Sequence, residues 1–244
     1  MTLITRHKCD DMVLALRDAP VDSRTGNKVL YGASWIADNN SMIGKRNEDW
    51  VRRELAWFTA GSNNLNDMEP PVPKAFQACG NHEGEVNSAY GHILFDTDMF
   101  DDGSCIYSRA LLALIEEGLH TRHSVAIITD RDIHRISQEN GKNDFICTNA
   151  LNIMVDADYK VHLFAQMRSM DAVWGYRADY SMWDLLLSMI IDHLKPHYPE
   201  VDRGNIVFQV ANLHVYPRHF DLLEEEAASI EDMLMRRVWK GVAQ

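Results

Sequence analysis

Apolar residues recur at helical spacing in three segments of the chain. In residues 48–58, 106–118 and 180–194 they fall mainly on one helical face, which predicts three helices packed against a core. Gly118 suits the C-terminal cap of the second helix, and Pro196 should end the third.

Shorter apolar runs predict strands between and after these helices. Residues 124–129 form one buried run, and residues 150–155 and 161–168 flank the polar turn DADYK, which predicts a hairpin. Residues 206–216 are apolar on both faces until His214, which predicts a long strand. The expected fold is therefore α+β, with helices packed on a mainly antiparallel or mixed sheet.

We expect residues 1–244 to form a single domain. The chain has 244 residues, of which 46% are hydrophobic and 25% charged, as is typical of a globular protein. The turn-rich segment 61–73, GSNNLNDMEPPVP, indicates a surface connection, because apolar patterning resumes on both sides. The segment after Phe220 is highly charged and predicts a final helix.

The net charge of -12 argues against nonspecific binding to nucleic acid, which needs clustered Lys and Arg. A single phosphate on a small molecule needs only a few Arg in one pocket. No apolar run approaches the roughly 18 residues of a membrane span. The first residues do not have the layout of an export signal, so we expect a cytoplasmic protein without a membrane partner.

The chain has four cysteines: Cys9, Cys79, Cys105 and Cys147. None forms a CxxC pair, so zinc ligands at the usual spacing are missing, and we expect reduced thiols. His193 and His197 are four apart, but Pro196 between them should end the helix that would align them. No metal site is predicted.

Cys147 lies in the segment NDFICTNALNIMV, where a predicted strand begins. A free Cys is most often a small buried hydrophobe, but a thiolate can also be a nucleophile. Arg168 and Ser169 end the next strand and can offer a guanidinium fork and a hydroxyl to one phosphate. The alternative for Arg168 is a surface salt bridge.

Asp179 immediately precedes the predicted helix 180–194, so it could be the N-cap of that helix. His214 and Tyr216 are two apart on a strand and therefore share a face, where both can donate to one sugar hydroxyl. A core histidine beside a packing tyrosine is the alternative. Each residue alone leaves a purely structural interpretation open.

Taken together, these residues resemble the thymidylate synthase family. The ordered set is Cys147, then Arg168-Ser169-x-Asp171-x-x-x-Gly175-x-x-x-Asp179, then His214-x-Tyr216. Upstream, DSRTG at 22–26, RELAWF at 53–58 and AYG at 89–91 resemble the family's phosphate-binding Arg, catalytic Glu and catalytic Tyr motifs. The resemblance covers roughly residues 20–220 and implies a thymidylate synthase-like fold.

The resemblance also implies a role for each matching residue. The catalytic residues would be Cys147, Glu54, Tyr90 and Asp179. The nucleotide would be bound by Arg24, Arg122, Arg168, Ser169, Asp179, His214 and Tyr216. The cosubstrate, 5,10-methylenetetrahydrofolate, would be bound by Phe76, Asp171 and Gly175. In this family the segment of Arg122 reaches the phosphate site of a neighbouring subunit, so the resemblance implies a homodimer.

Two of these residues have plain structural alternatives. Without the resemblance, Glu54 would be a surface helix residue in an i,i+4 pair, and Asp171 would be a loop cap.

Three positions depart from family members that act on uracil. Those members have Asn in place of Asp179, usually a second Arg in place of His123, and Trp in place of Phe76. The His123 change affects a phosphate contact, and the Phe76 change affects how the reaction intermediate is shielded. The charged segment after Phe220 does not match the synthase C-terminus that closes over the folate.

Within the family, four stretches are most similar to phage-type deoxycytidylate hydroxymethylases. They are GASWIAD, GEVNSAYG, FICTN and NLHVYPRHF. If the chain is phage-encoded, the expected location is the host cytoplasm.

Asp179 favours a cytosine base over uracil. Cytosine presents an amino donor and the N3 acceptor, and a carboxyl group can accept from the amino group and share a proton with N3. That proton draws electrons from the ring and opens C6 to attack. Uracil presents an N3–H donor and the O4 acceptor, which an amide side chain matches better.

The resemblance implies a covalent mechanism. The Cys147 thiolate, with its pKa lowered by Arg168, would add to C6. C5 would then attack the methylene carbon of the folate, and Tyr90 and waters held by Glu54 would assist loss of the C5 proton. Addition of water would give a 5-hydroxymethyl product, whereas hydride transfer from the folate would give a 5-methyl product.

Three alternatives to a deoxycytidylate hydroxymethylase remain open from the sequence. A dCMP methylase would have the same fold, and a CMP hydroxymethylase is not excluded, because nothing rules out a 2′ hydroxyl. The third is a nonenzymatic nucleotide-binding or translational-repressor protein. The intact set of Cys147, Glu54 and Tyr90 argues against this loss of chemistry.

Overall fold

The computed structural model describes residues 5–129 and 141–242. The helices are α1 (Cys9–Asp18), α2 (Glu48–Ala60), α3 (Lys74–Gln77), α4 (Tyr90–Phe95), α5 (Ile106–Glu116), α6 (Trp174–Leu194) and α7 (Phe220–Val242). The strands are β1 (Lys28–Ile36), β2 (Val125–Ile127), β3 (Thr148–Val155), β4 (Lys160–Met167), β5 (Met170–Asp171) and β6 (Asp202–Val215).

The strands form a mixed sheet in the order β1-β6-β4-β3-β2, and the short β5 pairs with the end of β6. The pairs β1–β6, β3–β4 and β2–β3 are antiparallel, whereas β4–β6 and β5–β6 are parallel. The predicted α+β fold with a mixed sheet is confirmed.

The core lies between the sheet and the helices packed on it. Trp35 of β1 stacks on Phe208 of β6 with ring centroids 5.2 Å apart, and Trp183 and Leu187 of α6 are completely buried. Burial of each such side chain stabilises the fold by roughly 1.5–3 kcal/mol. The residues at the ends of β3, β4 and β6 are thereby held on a rigid frame.

Helix α6 begins earlier than the apolar pattern predicts. It begins at Trp174 with Val173 as its N-cap, so Asp179 lies inside the helix, and the N-cap interpretation of Asp179 is wrong. The reason is that Asp171 accepts hydrogen bonds from the backbone N–H groups of Val173 (3.0 Å) and Trp174 (3.4 Å). The loop-cap interpretation of Asp171 is confirmed.

The hairpin of β3 and β4 is confirmed, because Asp156 accepts from the backbone N–H groups of Asp158 (3.0 Å) and Lys160 (2.9 Å) and closes the DADYK turn. Strand β6 begins at Asp202, four residues before the predicted strand, because its polar start still pairs with β4. Strand β2 is shorter than the predicted strand 124–129.

The segment 61–73 is more than the predicted surface connection. Its residues Leu65 and Met68 are buried with Trp57, Val86 and Ala89 in a second apolar cluster. Two apolar residues among many turn residues give too weak a pattern to predict this packing.

All four cysteines are free thiols. Within residues 5–129 and 141–242, no helix is long and apolar enough to cross a membrane. The same residues contain no group of three or more His, Cys, Asp or Glu side chains placed to hold a metal ion.

Candidate active site

Cys147 directly precedes β3, and Arg168 directly follows β4 beside it. The Arg168 N–H donates to the Cys147 carbonyl (2.9 Å), and its Nη2 lies 3.5 Å from the Cys147 Sγ. The guanidinium also donates to the carbonyls of Phe145 (2.7 Å) and Ile146 (2.9 Å). Within residues 5–129 and 141–242, no carboxylate forms an ion pair with Arg168, and its guanidinium binds backbone carbonyls instead.

Burial raises the pKa of the Cys147 thiol to about 11. The charge of Arg168 lowers this pKa, as the sequence predicts, but burial has the larger effect, and Asp179 and Asp144 act in the same direction as burial. The thiol of the free chain is therefore protonated near neutral pH.

Tyr90 begins α4 and is buried against the same strand. Its hydroxyl accepts from the Thr148 N–H (3.2 Å), and its ring centroid lies 5.3 Å from that of Trp183. Burial, together with the charges of Asp179 and Cys147, raises the pKa of Tyr90. Gly91 explains the close approach of α4 to α2, since a Cβ there would lie 1.9 Å from the Phe58 carbonyl oxygen.

Asp179 is 9% exposed and lies one turn after Gly175 on α6. Burial raises the pKa of its carboxyl well above the ordinary value, and the nearby carboxyls of Glu54 and Asp171 raise it further. These effects favour the neutral acid over the carboxylate in the free site. The neutral acid offers one hydrogen-bond donor and one acceptor.

Glu54 of α2 is 8% exposed, so the surface-helix interpretation is wrong. Burial raises the pKa of its carboxyl to about 7, and a hydrogen bond from Trp50 acts in the opposite direction. A carboxyl that titrates near neutral pH can both take and return a proton.

Glu54 lines a cavity of about 470 Å³ between α2, α3 and α6. Three aromatic side chains also line it: Trp50, Phe76 and Trp174. Phe76 makes edge-to-face contacts with Trp50 and Trp57, with ring centroids 6.0 Å and 5.9 Å apart. Gly175 forms part of the cavity wall. A larger cavity of about 670 Å³ on α7 contains none of the predicted site residues.

His214 and Tyr216 lie together at the end of β6. His214 is in register with Asp171 of β5, its Nδ1 lies 3.0 Å from the Asn212 Oδ1, and its ring centroid lies 4.9 Å from that of Tyr216. Burial lowers the pKa of His214, so its imidazole is neutral near pH 7 and carries one N–H donor. Arg218 stacks on Tyr216 with its guanidinium carbon 4.5 Å from the ring centroid.

The structure does not join Arg24 and Arg122 to this cluster. The Arg24 side chain is 79% exposed and forms an ion pair with Asp22 (2.7 Å), and Arg122 is exposed. Within the described residues neither forms a hydrogen bond or ion pair with Cys147 or Arg168. His123 faces Glu117 (2.7 Å), and Ser169 is half-buried between β4 and β5.

Sequence reasoning missed several residues of the site. The lining of the cavity also includes Trp50, Trp174, Arg46 and Arg177. A further residue, Asp144, links two loops of the site. Trp174 and Arg177 flank Gly175 in the recognised motif, which was the available signal for them. The contacts of Asp144 cross 57 positions of the sequence and leave no local pattern.

Residues 45–234 match a family model described as thymidylate synthase. The deoxycytidylate 5-hydroxymethyltransferases of Enterobacteria phages T4 and T6 are 31% and 30% identical to this chain over 236 residues. These alignments cover 94% of this chain and 92% of each relative. A thymidylate synthase of Francisella philomiragia is 22% identical over 72% of this chain and 64% of its own length.

The solved structure of a thermostable thymidylate synthase A from Bacillus subtilis superimposes with a TM-score of 0.68 at 18% identity. The match covers 90% of this chain and 82% of that chain. This likeness shows that the two chains share a fold.

Proposed function

We propose, since the chain belongs to the thymidylate synthase family, that it transfers a one-carbon unit from 5,10-methylenetetrahydrofolate to C5 of dCMP and releases 5-hydroxymethyl-dCMP. Its phage relatives are named deoxycytidylate 5-hydroxymethyltransferases. The observation that carries the proposal is Asp179, a buried carboxyl with a raised pKa at the position that would face the base.

Asp179 selects and activates the base in this proposal. Its neutral carboxyl donates to N3 of cytosine, and its carbonyl oxygen accepts from the 4-amino group. Because N3 is basic, the proton can move onto the ring, where it draws electrons from C6. The burial that raises the pKa of Asp179 thus supplies the proton that this activation needs.

Cys147 is the proposed nucleophile. Its Sγ forms a bond with C6 while the S–H bond breaks and the proton passes to water, and the electron pair of the C5–C6 double bond moves toward C5. The S–C6 bond breaks again when the C5–C6 double bond re-forms in the product. The Arg168 guanidinium, 3.5 Å from the Sγ, stabilises the thiolate as it forms. Ser169, His214 and Tyr216 are proposed to hold the phosphate and the sugar, together with Arg24 and Arg122.

The cavity next to Asp179 fits the flat rings of a folate. Trp50, Phe76 and Trp174 provide apolar walls, and Glu54 and Gly175 complete the lining. When bound, the folate supplies a carbon at the oxidation level of formaldehyde. Asp171 is proposed to contact the pterin as well as to cap α6.

Tyr90 and Glu54 are the proposed proton-transfer groups. Because its pKa is raised, Tyr90 remains a neutral phenol. Its hydroxyl can hold a water molecule near C5, and this water can accept the proton that C5 loses. Glu54, with a pKa of about 7, can take a proton from the water that becomes the product hydroxyl and return it to solvent.

The active unit is proposed to be a homodimer. Arg122 is exposed, and in the described regions it forms no hydrogen bond or ion pair with the phosphate-binding residues of its own chain. An exposed Arg of this kind can complete the phosphate site of a second copy.

A substrate panel tests the proposed function. The protein is incubated with methylenetetrahydrofolate and dCMP, CMP or dUMP, and each nucleotide product is identified by mass spectrometry, with Cys147→Ala as the control. We expect the 5-hydroxymethyl product from dCMP and none from the Cys147→Ala variant. Preferred turnover of CMP or dUMP would contradict the substrate assignment, and no turnover of any nucleotide would contradict the enzymatic one.

A further inference from the structure

One carboxylate, Asp144, joins the two loops that carry Cys147 and Tyr90. Its Oδ1 accepts from the Asn87 N–H (2.9 Å), and its Oδ2 accepts from the Ser88 N–H (2.7 Å) and from the Ser88 hydroxyl. The Asn87 side-chain amide donates back to the Asp144 carbonyl (2.9 Å). The two loops are thus held by charge-assisted hydrogen bonds.

The positions of these bonds matter for the site. Asp144 lies three residues before Cys147, and Ser88 lies two residues before Tyr90. Asp144 accepts from the two backbone N–H groups that directly precede Ala89, the N-cap of α4, and so fixes the chain where it enters this helix.

The direct link between Tyr90 and the start of β3 is at Thr148, whose N–H donates to the Tyr90 hydroxyl (3.2 Å). Without Asp144, this contact and the packing of α4 on α2 would have to set the distance from the phenol to the thiol.

We propose that Asp144 is a positioning residue that fixes the Tyr90 hydroxyl relative to the Cys147 thiol. The inference rests on the proposed function, because it gives both groups a part in one reaction. Nucleophilic attack at C6 and proton removal at C5 take place on adjacent ring atoms, so both groups must be in register with the same base. Small misplacements of reacting groups cost on the order of a hundredfold in rate.

This positioning has an electrostatic cost. The groups whose charges act on the Cys147 thiol come from several elements: Arg168, Asp179, Asp144, Cys79 and Tyr90. Arg168 lowers the pKa of the thiol, whereas the charge of Asp144 raises it. Removing that charge should therefore make the thiol react faster at a given pH, while the loss of the hydrogen bonds should slow turnover.

The test compares Asp144→Asn with Asp156→Asn. Asp156 is a matched control because it also accepts from two backbone N–H groups, but at the opposite end of β3. Two quantities are measured for each variant: kcat and KM for dCMP, and the rate of Cys147 alkylation by iodoacetamide as a function of pH, followed by mass spectrometry of the Cys147 peptide.

For Asp144→Asn we expect kcat to fall by roughly tenfold to a hundredfold, with KM for dCMP changed by less than about threefold. The pH at which Cys147 alkylation reaches half of its maximal rate should fall. The Asp156→Asn variant should keep the wild-type kcat and the wild-type dependence of alkylation on pH. Ser88→Ala loses one of the bonds and keeps the charge, so its kcat should fall less and its profile should not move.

Unchanged kcat in Asp144→Asn, or a lower kcat with an unmoved alkylation profile, would overturn the proposal. An equal loss of kcat in Asp156→Asn would show that the effect is general destabilisation. If Asp144→Asn does not fold, unchanged kcat in Ser88→Ala overturns the proposal and a reduced kcat supports it. A wild-type protein without turnover would contradict the proposed function instead, and the alkylation profile would still test the coupling of Asp144 to Cys147.

Discussion

Replacing Asp179 with Asn changes the base-recognition group at one atom. The carboxyl is buried within α6, and burial together with Glu54 and Asp171 raises its pKa, which favours the neutral acid that donates to the base in the proposed mechanism. Cytosine N3 can share or accept the acid proton because N3 is basic. Uracil O4 is far less basic and can only accept an ordinary hydrogen bond.

The difference in binding free energy between the two bases depends on which hydrogen-bond donors and acceptors Asp179 offers to each. Once Asp179 ionises, uracil O4 faces a carboxylate oxygen, acceptor against acceptor, and an unpaired buried polar group costs roughly 1–3 kcal/mol. Cytosine retains the proton between N3 and the carboxylate to a higher pH. We therefore expect kcat/KM for dCMP to exceed that for dUMP by at least about tenfold, or about 1.4 kcal/mol, and the ratio to grow as pH rises.

An amide reverses this preference. Asn at position 179 donates toward O4 and accepts from N3–H of uracil, but it has no proton to give to N3 of cytosine. Turnover of dUMP should rise, turnover of dCMP should fall, and the ratio should lose its dependence on the titration of Asp179.

The assay is kcat/KM for both nucleotides, on the wild type and Asp179→Asn, across neutral and alkaline pH. Helix capping cannot explain a change, because Val173 is the N-cap of α6. A ratio of dCMP to dUMP turnover that is the same in both proteins would refute the role of Asp179 and remove the main support for cytosine as the base.

Three further predictions test other parts of the site. Cys147→Ala should abolish turnover yet bind dCMP, as measured by calorimetry, and residual turnover would refute the nucleophile assignment. Glu54→Gln should be slower but more stable at alkaline pH in thermal unfolding. The pKa of Glu54 is raised from 4.5 to about 7, so the free energy of unfolding of the wild type should fall by about 3 kcal/mol as pH rises from 4.5 through 7. Equal stabilities of the two proteins at alkaline pH would contradict this burial effect. Light scattering should show a dimer, and a mixture of Arg122→Ala and Cys147→Ala chains should regain activity through one intact site per mixed dimer; an active monomer would contradict the dimer.

The sequence predicts most of the fold because its apolar periodicity is strong where the core is. The hairpin of β3 and β4 and the end of α6 before Pro196 follow from turn and breaker residues that act locally. The start of α6 is missed because Gly175 interrupts the apolar pattern, and because a side chain outside the helix, Asp171, caps it.

The candidate site is predicted as a set of residue types but not as an electrostatic environment. Glu54 has the sequence of an exposed helix residue, and its burial depends on how α2 packs against α4 and α6. The protonated state of Cys147 likewise depends on burial that exceeds the effect of Arg168. Such balances arise from tertiary packing, which a local pattern does not encode.

The product formed from dCMP shows whether the enzyme adds a hydroxymethyl group or a methyl group to the base. The wild-type protein, dCMP and methylenetetrahydrofolate are incubated in water enriched in heavy oxygen, and the nucleotide and the folate are analysed by mass spectrometry. We expect 5-hydroxymethyl-dCMP with heavy oxygen in the new hydroxyl, together with release of tetrahydrofolate. Formation of 5-methyl-dCMP with dihydrofolate, or unchanged dCMP, would contradict this expectation.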